Sequence, residues 1–265
     1  MTMRNQQHDY RNAIGEAWQM RPPLALWRQH SDAVNIALLK AWWPDGEVRD
    51  ILKTDLFDEA VADGLYPLLH SKAENPVGVD LSKSIINAAR TRHADLRAVV
   101  ADVRSLPFSD DTFDLVVSNS TLDHFQSASE IVTALHELCR VLRPRGRLVL
   151  TLDNRLNPIV ALRNLLPFRP LNALGVVPYY VGATLGPSRL RRAIEEVGFK
   201  VNDMGAIMHC PRLLAVPVAG LLERHGRGGL QQRFLKSLTA WEHLSRLPIR
   251  YLTGHFVAVN AAKPS

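Results

Sequence analysis

Two aspartates each follow a short apolar stretch where a predicted strand ends. Asp80 closes the stretch VGVD and runs into a helical pattern, and Asp102 follows the next strand along the chain. Open α/β sheets bind ligands at the carboxyl ends of their strands. There Asp80 can accept hydrogen bonds from both ribose hydroxyls of a nucleoside cofactor, and Asp102 can reach an adenine amino group while Val103 covers the ring. Asp80 is equally well interpreted as the cap of the following helix.

Strand and helix patterns alternate over residues 50–203, which is typical of βαβ units and a parallel sheet covered by helices on both faces. The predicted strands are Asp50–Thr54, Pro76–Val79, Arg97–Ala101, Phe113–Ser118 and Arg147–Leu152, followed near the end by an alternating strand at His255–Asn260. The predicted helices are Asp58–His70, Ser82–Arg92, Ser127–Leu142 and Pro187–Val197, and PRGR (144–147) predicts a turn.

The stretches VGVDLSKSIINAARTR, ADVRSLPFSDDTFDLVVSNSTLDHF and HELCRVLRPRGRLVLTL, in this order and spacing, resemble the class I S-adenosylmethionine-dependent methyltransferases of the small-molecule type. The resemblance implies an α/β, Rossmann-like fold: a seven-stranded sheet with an antiparallel last strand, helices on both faces and a helical cap. It also implies S-adenosylmethionine as cofactor. By this match Asp80, with Leu81 beside it, binds the ribose, Asp102 and Val103 bind the adenine, and Ser118, Asn119 and Ser120 lie near the methionine side.

The first loop departs from the family pattern, in which an acidic residue precedes glycines at alternate positions. The chain reads ILKTDLFDEAVADGLYP over residues 51–67. In one register Lys53 replaces the acidic residue, and in the other Asp55 keeps that role. Lys53 or Thr54 could contact the cofactor carboxylate, or Lys53 could extend its ammonium to solvent from the strand end. Without glycines, the loop is expected to adopt ordinary backbone angles.

Methyl transfer from a sulfonium needs little more than proximity, in-line geometry and at most one base. His124, in the loop after the fourth strand, is the candidate base because an imidazole titrates near neutral pH. A structural role is the alternative for this histidine. The tetrad SNST (118–121) differs from the NPPY-like signature of nucleic-acid amino methyltransferases, so a nucleic-acid substrate is not expected.

The chain is predicted to combine a core with three added segments. Residues 49–156, 184–208 and 254–262 are assigned to the methyltransferase core, residues 1–48 to an N-terminal helical lid, and residues 157–183 and 209–253 to cap insertions. The three additions are expected to line a pocket at the carboxyl ends of the first and fourth strands, with Arg11 as one lid residue near the cofactor.

Charge is distributed unevenly along the chain. Residues 1–156 hold 18 Lys and Arg against 21 Asp and Glu, whereas residues 157–265 hold 14 against 5. The C-terminal excess is interpreted as solvated helix faces, as a surface for an anionic substrate, or as a contact for an anionic membrane, since LLAVPVAGLLERHGRGG (213–229) joins an apolar helix to arginines. Two cysteines outside any metal spacing predict neither a disulfide framework nor a metal site.

These features predict a methyltransferase that passes a methyl group to oxygen, nitrogen or carbon of a small metabolite or lipophilic precursor. The alternative is a methyltransferase-like partner or scaffold protein that has lost productive cofactor binding, an interpretation supported by the altered first loop. The N-terminal stretch has no apolar signal core, and no stretch reaches the length of a spanning helix, so a cytoplasmic protein is expected.

Overall fold

The computed structural model describes residues 23–166, 182–226 and 228–265, so Arg11 and much of the predicted lid lie outside the described residues, as does most of the first cap insertion. The strands are β1 (Asp50–Thr54), β2 (Asn75–Asp80), β3 (Arg97–Val100), β4 (Phe113–Asn119), β5 (Leu142–Asp153), β6 (Lys200–Ile207) and β7 (Phe256–Ala262). The helices are α1 (Ala25–Ala41), α2 (Phe57–Val61), α3 (Tyr66–Lys72), α4 (Lys83–Arg92), α5 (Ala128–Val141), α6 (Pro158–Leu165), α7 (Pro187–Glu196), α8 (Arg212–His225), α9 (Gly228–Trp241) and α10 (Arg250–Thr253). Two 3₁₀ turns cover Leu122–His124 and Glu242–Arg246.

All seven strands form one sheet in the order β3-β2-β1-β4-β5-β7-β6. Strands β1 to β5 pair in parallel, and β7 runs antiparallel to both of its neighbours, β5 and β6. The predicted seven-stranded α/β fold with an antiparallel last strand is therefore confirmed. The carboxyl ends of β1, β2, β3 and β4 lie along one edge of the sheet, which is the edge where ligands bind in open α/β folds.

Alternation along the central strands divides the core between the two sheet faces. Ile51 and Val117 belong to a cluster on one face that α1 and α3 cover through Leu39 and Leu69. On the other face, Leu52, Val116 and Leu150 pack with α5 and α7. Helix α5 begins with a capping box in which Ser127 accepts from the Glu130 amide and Glu130 binds back to the Ser127 amide. Ser127 is therefore the N-cap of this helix.

The structure differs from the predicted elements in three places. The helix predicted at Asp58–His70 is two helices, because the chain turns at Gly64 (φ +57°) and the Leu65 amide donates to the buried Glu59 carboxylate. The predicted turn PRGR lies within β5, where a register shift against β4 and a positive φ at Arg145 absorb it. Strand β6 is not among the predicted strands, because three of its eight residues are exposed at the sheet edge and it lacks a continuous apolar run.

Among the described residues, no helix is long and apolar enough to cross a membrane.

Candidate cofactor site

A cluster of buried hydroxyls joins the ends of β1 and β4. The Thr54 hydroxyl lies 2.9 Å from the Ser118 hydroxyl and 2.8 Å from the Thr121 hydroxyl, and all three side chains are buried. β1 and β4 pair directly, with Thr54 opposite Ser118, so their side chains meet on the same face. After the strand, Ser120 turns the chain at φ 46°, and its amide donates to the Thr151 carbonyl. Asn119 and Ser120 are half-buried at this edge.

The Asp80 carboxylate fastens the ends of β1 and β2 together. One oxygen accepts from the Leu56 amide at 3.0 Å and the other from the Ser82 amide at 2.8 Å, and the residue is 2% exposed. The Ser82 side chain, rather than Asp80, caps α4 by accepting from the Ile85 amide. The helix-cap interpretation of Asp80 is therefore wrong. Leu81, the other residue predicted here, is half-buried.

Asp102 lies beyond β3 in a bidentate pair with an arginine. The Arg104 guanidinium contacts both Asp102 oxygens, at 2.7 Å from Nη2 and 3.0 Å from Nε. The same guanidinium also pairs with Glu130 and lies 4.9 Å from the centre of the Phe125 ring. Val103, predicted beside the adenine, is buried in the core cluster of this face. Arg104 was not singled out in the sequence, although an arginine two residues after an aspartate is a usable signal.

The first loop does not keep ordinary backbone angles throughout. Asp55 has φ 68°, in the left-handed region that favours glycine, so the prediction for this loop is wrong at Asp55. Asp is tolerated there because its short side chain bonds locally: its Oδ1 accepts from the Phe57 amide at 2.9 Å. The next side chain, Leu56, fills the space above Gly78, where an added Cβ would lie 2.5 Å from the Leu56 Cδ2 atom.

Lys53 turns inward into a buried ion pair. Its ammonium lies 2.8 Å from Glu59 Oε2 and donates to the Asp55 carbonyl at 2.5 Å, and its side chain is 5% exposed. Extension of this lysine to solvent is therefore ruled out. Burial lowers the pKa of Lys53, but the charges of Glu59, Asp58 and Asp55 outweigh it and the net direction is upward. The ammonium stays charged against Glu59, a residue that the sequence places in the altered first loop without predicting its pairing with Lys53.

His124 closes the 3₁₀ turn after β4. It is half-buried, and its Nε2 lies 3.8 Å from Oδ1 of the buried Asp123, which is within reach of charge attraction but longer than a hydrogen bond. The returning cap insertion lies against this turn, because the Gly182 amide donates to the Asp123 carbonyl at 2.7 Å and the Ala183 amide to the Phe125 carbonyl at 2.6 Å. A Cβ at Gly182 would lie 1.8 Å from the Phe125 carbonyl oxygen, so this approach requires glycine.

A second polar cluster lies at the end of β5, where the sequence had suggested nothing. Asp153 pairs with Arg163 at 2.5 Å and lies 3.4 Å from His255 Nε2, which is 3.1 Å from an Arg212 nitrogen. Burial lowers the pKa of His255 well below its usual value, and the charges of Arg212 and Arg163 add to this. The imidazole is therefore neutral here, where it joins α6, α8 and β7.

The hydrogen-bonding side chains at the carboxyl edge of the sheet fit a nucleoside with a positively charged sulfur substituent. Carboxylates accept hydrogen bonds only, and ribose hydroxyls and an adenine amino group are donors. Asp80 and Asp102 stand at the ends of neighbouring strands, and the hydroxyls of Thr54, Ser118 and Thr121 lie at the ends of the next two. This arrangement matches the residue types that such a cofactor needs.

Comparison with known proteins agrees with this fit. Residues 62–150 match the family model described as a methyltransferase domain. A probable S-adenosylmethionine-dependent methyltransferase of Mycolicibacterium smegmatis is 25% identical over 67% of this chain and 60% of its own length. A probable tRNA methyltransferase 9B of Homo sapiens is 32% identical over 41% of this chain and 24% of its own length. The chain thus spans about a quarter of the human relative and 60% of the mycobacterial one.

The crystal structure of a SAM-dependent methyltransferase from Thermotoga maritima superposes with a TM-score of 0.59 at 16% identity, covering 99% of this chain and 100% of that one. At this identity the likeness concerns the fold. In its fold, in the family model over residues 62–150 and in its relatives, the chain is similar to the class I S-adenosylmethionine-dependent methyltransferases. The cofactor of this class is S-adenosylmethionine.

Proposed function

We propose that the chain transfers a methyl group from S-adenosylmethionine to oxygen, nitrogen or carbon of a small metabolite or lipophilic precursor. The observation that carries this proposal is the convergence of Asp80, Asp102 and the Thr54–Ser118–Thr121 hydroxyls at one sheet edge. In the proposal Asp80 and Leu81 contact the ribose, and Asp102 and Val103 the adenine. Asp55, Asn119 and Ser120, with the hydroxyl cluster, line the methionine side.

The bound cofactor would supply a methyl group on an electrophilic sulfonium, so the protein has mainly to position the acceptor and remove one proton. His124 is the proposed base. Its ring lies beside the buried Asp123 carboxylate, whose charge would stabilise an imidazolium. The Gly182–Ala183 segment, which lies against this turn, would hold His124 in place and exclude water from it.

The acceptor is proposed to be small or lipophilic because the segments that follow β5 and β6, residues 157–183 and 210–253, are rich in aliphatic residues. Stacking platforms for single-stranded nucleic acids use exposed aromatic rings, and among the described large hydrophobic residues exposed on the surface only Trp241 is aromatic. The tRNA substrate that the name of the human relative implies is therefore not proposed for this chain.

One group of contacts favours the rival function, a methyltransferase-like partner protein without productive cofactor binding. Lys53 is neutralised by Glu59, and Arg104 occupies both oxygens of Asp102. Cofactor binding would have to share or displace these contacts, and displacement lowers affinity because each charge-assisted bond is worth roughly 1.5–3 kcal/mol.

Calorimetric titration with S-adenosylmethionine and S-adenosylhomocysteine separates the two functions. The proposed enzyme binds both saturably, and Asp80→Asn weakens binding roughly ten- to a hundredfold, as for loss of a hydrogen bond to a charged group. Asp45→Asn is the matched control and should leave the affinity unchanged, because Asp45 lies in an exposed loop before β1, away from the carboxyl ends of the strands. An absence of heat with the folded parent protein, or equal affinity in Asp80→Asn, contradicts the proposal.

A further inference from the structure

Helix α8 exposes several large apolar residues to solvent, although Val216 and Leu222 of the same helix pack against the core. Its buried positions are the small Ala215 and Ala219, which pack in a cluster with Leu26 and Trp27 of α1. Its solvent side carries Leu214 and Leu221, which are 68% and 61% exposed. A helix of a soluble protein normally buries its large apolar residues and exposes polar ones. An exposed aliphatic stripe of this kind marks an interaction surface.

Helix α6 repeats this arrangement next to α8. Val160 is buried, whereas Ile159, Leu162 and Leu165 are 42%, 59% and 77% exposed. The two helices are joined at the carboxyl edge of the sheet by the chain of contacts from Arg163 through Asp153 and His255 to Arg212. The exposed aliphatic residues on and beside these two linked helices are here named the leucine surface: Leu156, Ile159, Leu162, Leu165, Leu166, Leu213, Leu214, Val218 and Leu221.

The segments that bear the leucine surface are strongly basic. Residues 155–166 and 209–253 contain nine Lys and Arg and two Asp and Glu. Both carboxylates are turned to the protein: Glu223 accepts from the Leu26 amide at 2.6 Å, and Glu242 accepts from the Met208 and His209 amides. Burial also raises the pKa of Glu242. The exposed arginines, such as Arg155 and Arg224, are therefore not balanced by surface acids of these segments.

We propose that the leucine surface docks on an anionic lipid bilayer, with the leucines in the boundary between headgroups and acyl chains and the arginines against lipid phosphates. Aliphatic side chains beside a basic, acid-poor surface are the pattern of helices that lie in a membrane interface. An anionic bilayer matches both the aliphatic and the basic side chains, since it offers an apolar interior and a negatively charged surface. This interaction does not depend on the proposed methyl transfer.

Vesicle flotation tests the docking directly. The full chain is mixed with vesicles of phosphatidylcholine alone or with about 30% phosphatidylglycerol, at about 0.1 M and 0.5 M NaCl. Binding is expected to the anionic vesicles and to fall on the order of tenfold at the higher salt, where the Debye length shortens. The double variant Leu214→Ser and Leu221→Ser should bind the anionic vesicles on the order of a hundredfold more weakly than the parent. Each Leu→Ser substitution removes apolar area that the membrane would bury.

The matched control is Val100→Ser, because Val100 is 45% exposed on β3, the sheet edge opposite the cap. Its vesicle binding should equal that of the parent. Circular dichroism checks that each variant is folded. The proposal is overturned if the parent ignores anionic vesicles, or if the leucine variant binds them as well as the parent. It is also overturned if light scattering shows a dimer that the leucine variant abolishes while vesicle binding is absent, which would assign the surface to a second copy of the chain.

Discussion

Lys53 and Glu59 form a buried ion pair inside the first loop. Taking two charges out of water costs several kcal/mol per ion, and only good geometry and further hydrogen bonds recover that cost. Lys53 and Glu59 meet this condition only in part: Lys53 also donates to the Asp55 carbonyl and Glu59 Oε1 accepts from the Leu65 amide, whereas Glu59 Oε2 lies 2.8 Å from the ammonium without hydrogen-bond geometry. The pair replaces the glycines of the family pattern as the means of shaping the loop.

Removing one partner of this pair is expected to lower the free energy of unfolding far more than neutralising both. Lys53→Met leaves Glu59 buried and uncompensated, which should lower the free energy of unfolding by about 3–5 kcal/mol. Lys53→Met with Glu59→Gln keeps the acceptor for the Leu65 amide and should recover most of that loss. Urea unfolding of the parent, both single variants and the double variant measures the coupling.

The cofactor affinity of the double variant then tests whether Lys53 has a second role. Affinity equal to that of the parent means that Lys53 serves the loop alone, whereas a loss in the stable double variant means that it also contacts the cofactor carboxylate. Additive effects of the two single substitutions on stability would contradict the buried pair itself.

At the scale of elements, the segment that precedes α7 lies beside the candidate cofactor site. The cap insertion returns to the core at Gly182 and runs beside the turn that carries His124. Four residues later Gly186 precedes α7 in open space, with no atom within 4 Å of an added Cβ. Two glycines of one segment therefore differ completely in their surroundings.

Gly182→Ala should lower the free energy of unfolding by roughly 1–3 kcal/mol, because the new methyl group overlaps the Phe125 carbonyl and forces the backbone apart. The matched control Gly186→Ala should cost less than about 1 kcal/mol, the difference between glycine and alanine at a helix N-cap. Urea unfolding gives both values, and hydrogen exchange at residues 122–125 reports the local opening. Equal effects of the two substitutions would show that the insertion does not lie against this turn.

The elements with regular patterns were predictable, and the contacts between them were not. Asp50–Thr54 was predicted with its observed bounds, because a buried parallel strand is a short apolar run between polar ends. Strand β6 lies on an edge, so its exposed residues break the alternation. The roles of Asp80 and Asp102 came from their places at strand ends and from the family resemblance, that of Ser118 from the resemblance alone, and all stay predictions. The role of His124 came from its position in the loop after β4 and stays a prediction too. The partners of Asp102 and Lys53, namely Arg104 and Glu59, depend on side-chain directions that spacing does not encode.

For the molecule as a whole, a charged network between α1 and the first loop makes stability depend on pH. Arg28 lies 2.8 Å from Asp58 and also pairs with Asp32. Burial raises the pKa of Asp32 to about 6; Arg28 opposes this rise, and Asp58 adds to it. An acid whose pKa is higher in the folded state binds a proton more tightly there. Stability therefore falls as pH rises from about 4, the unfolded pKa, to about 6.

Asp32→Asn should remove this dependence. At pH 7.5 the variant is expected to be more stable than the parent by roughly 1–3 kcal/mol, and the difference should shrink towards zero below pH 4, where the parent carboxyl is protonated in both states. Urea unfolding of the parent and of the variant across this range measures the difference, with Asp45→Asn at an exposed loop position as the control substitution. A variant that is less stable than the parent at pH 7.5 would mean that the attraction to Arg28 outweighs burial.

The position of β7 has a consequence for the synthesis of the protein on the ribosome. β7 fills the gap between β5 and β6, although it follows both in the chain. Until residue 262 has left the exit tunnel, β5 has one open edge and β6 has no strand to pair with, and Leu150 and Leu152 lack the part of their packing that β7 supplies. During that interval the open edge of β5 can pair with strands of other chains, which exposes the growing chain to aggregation.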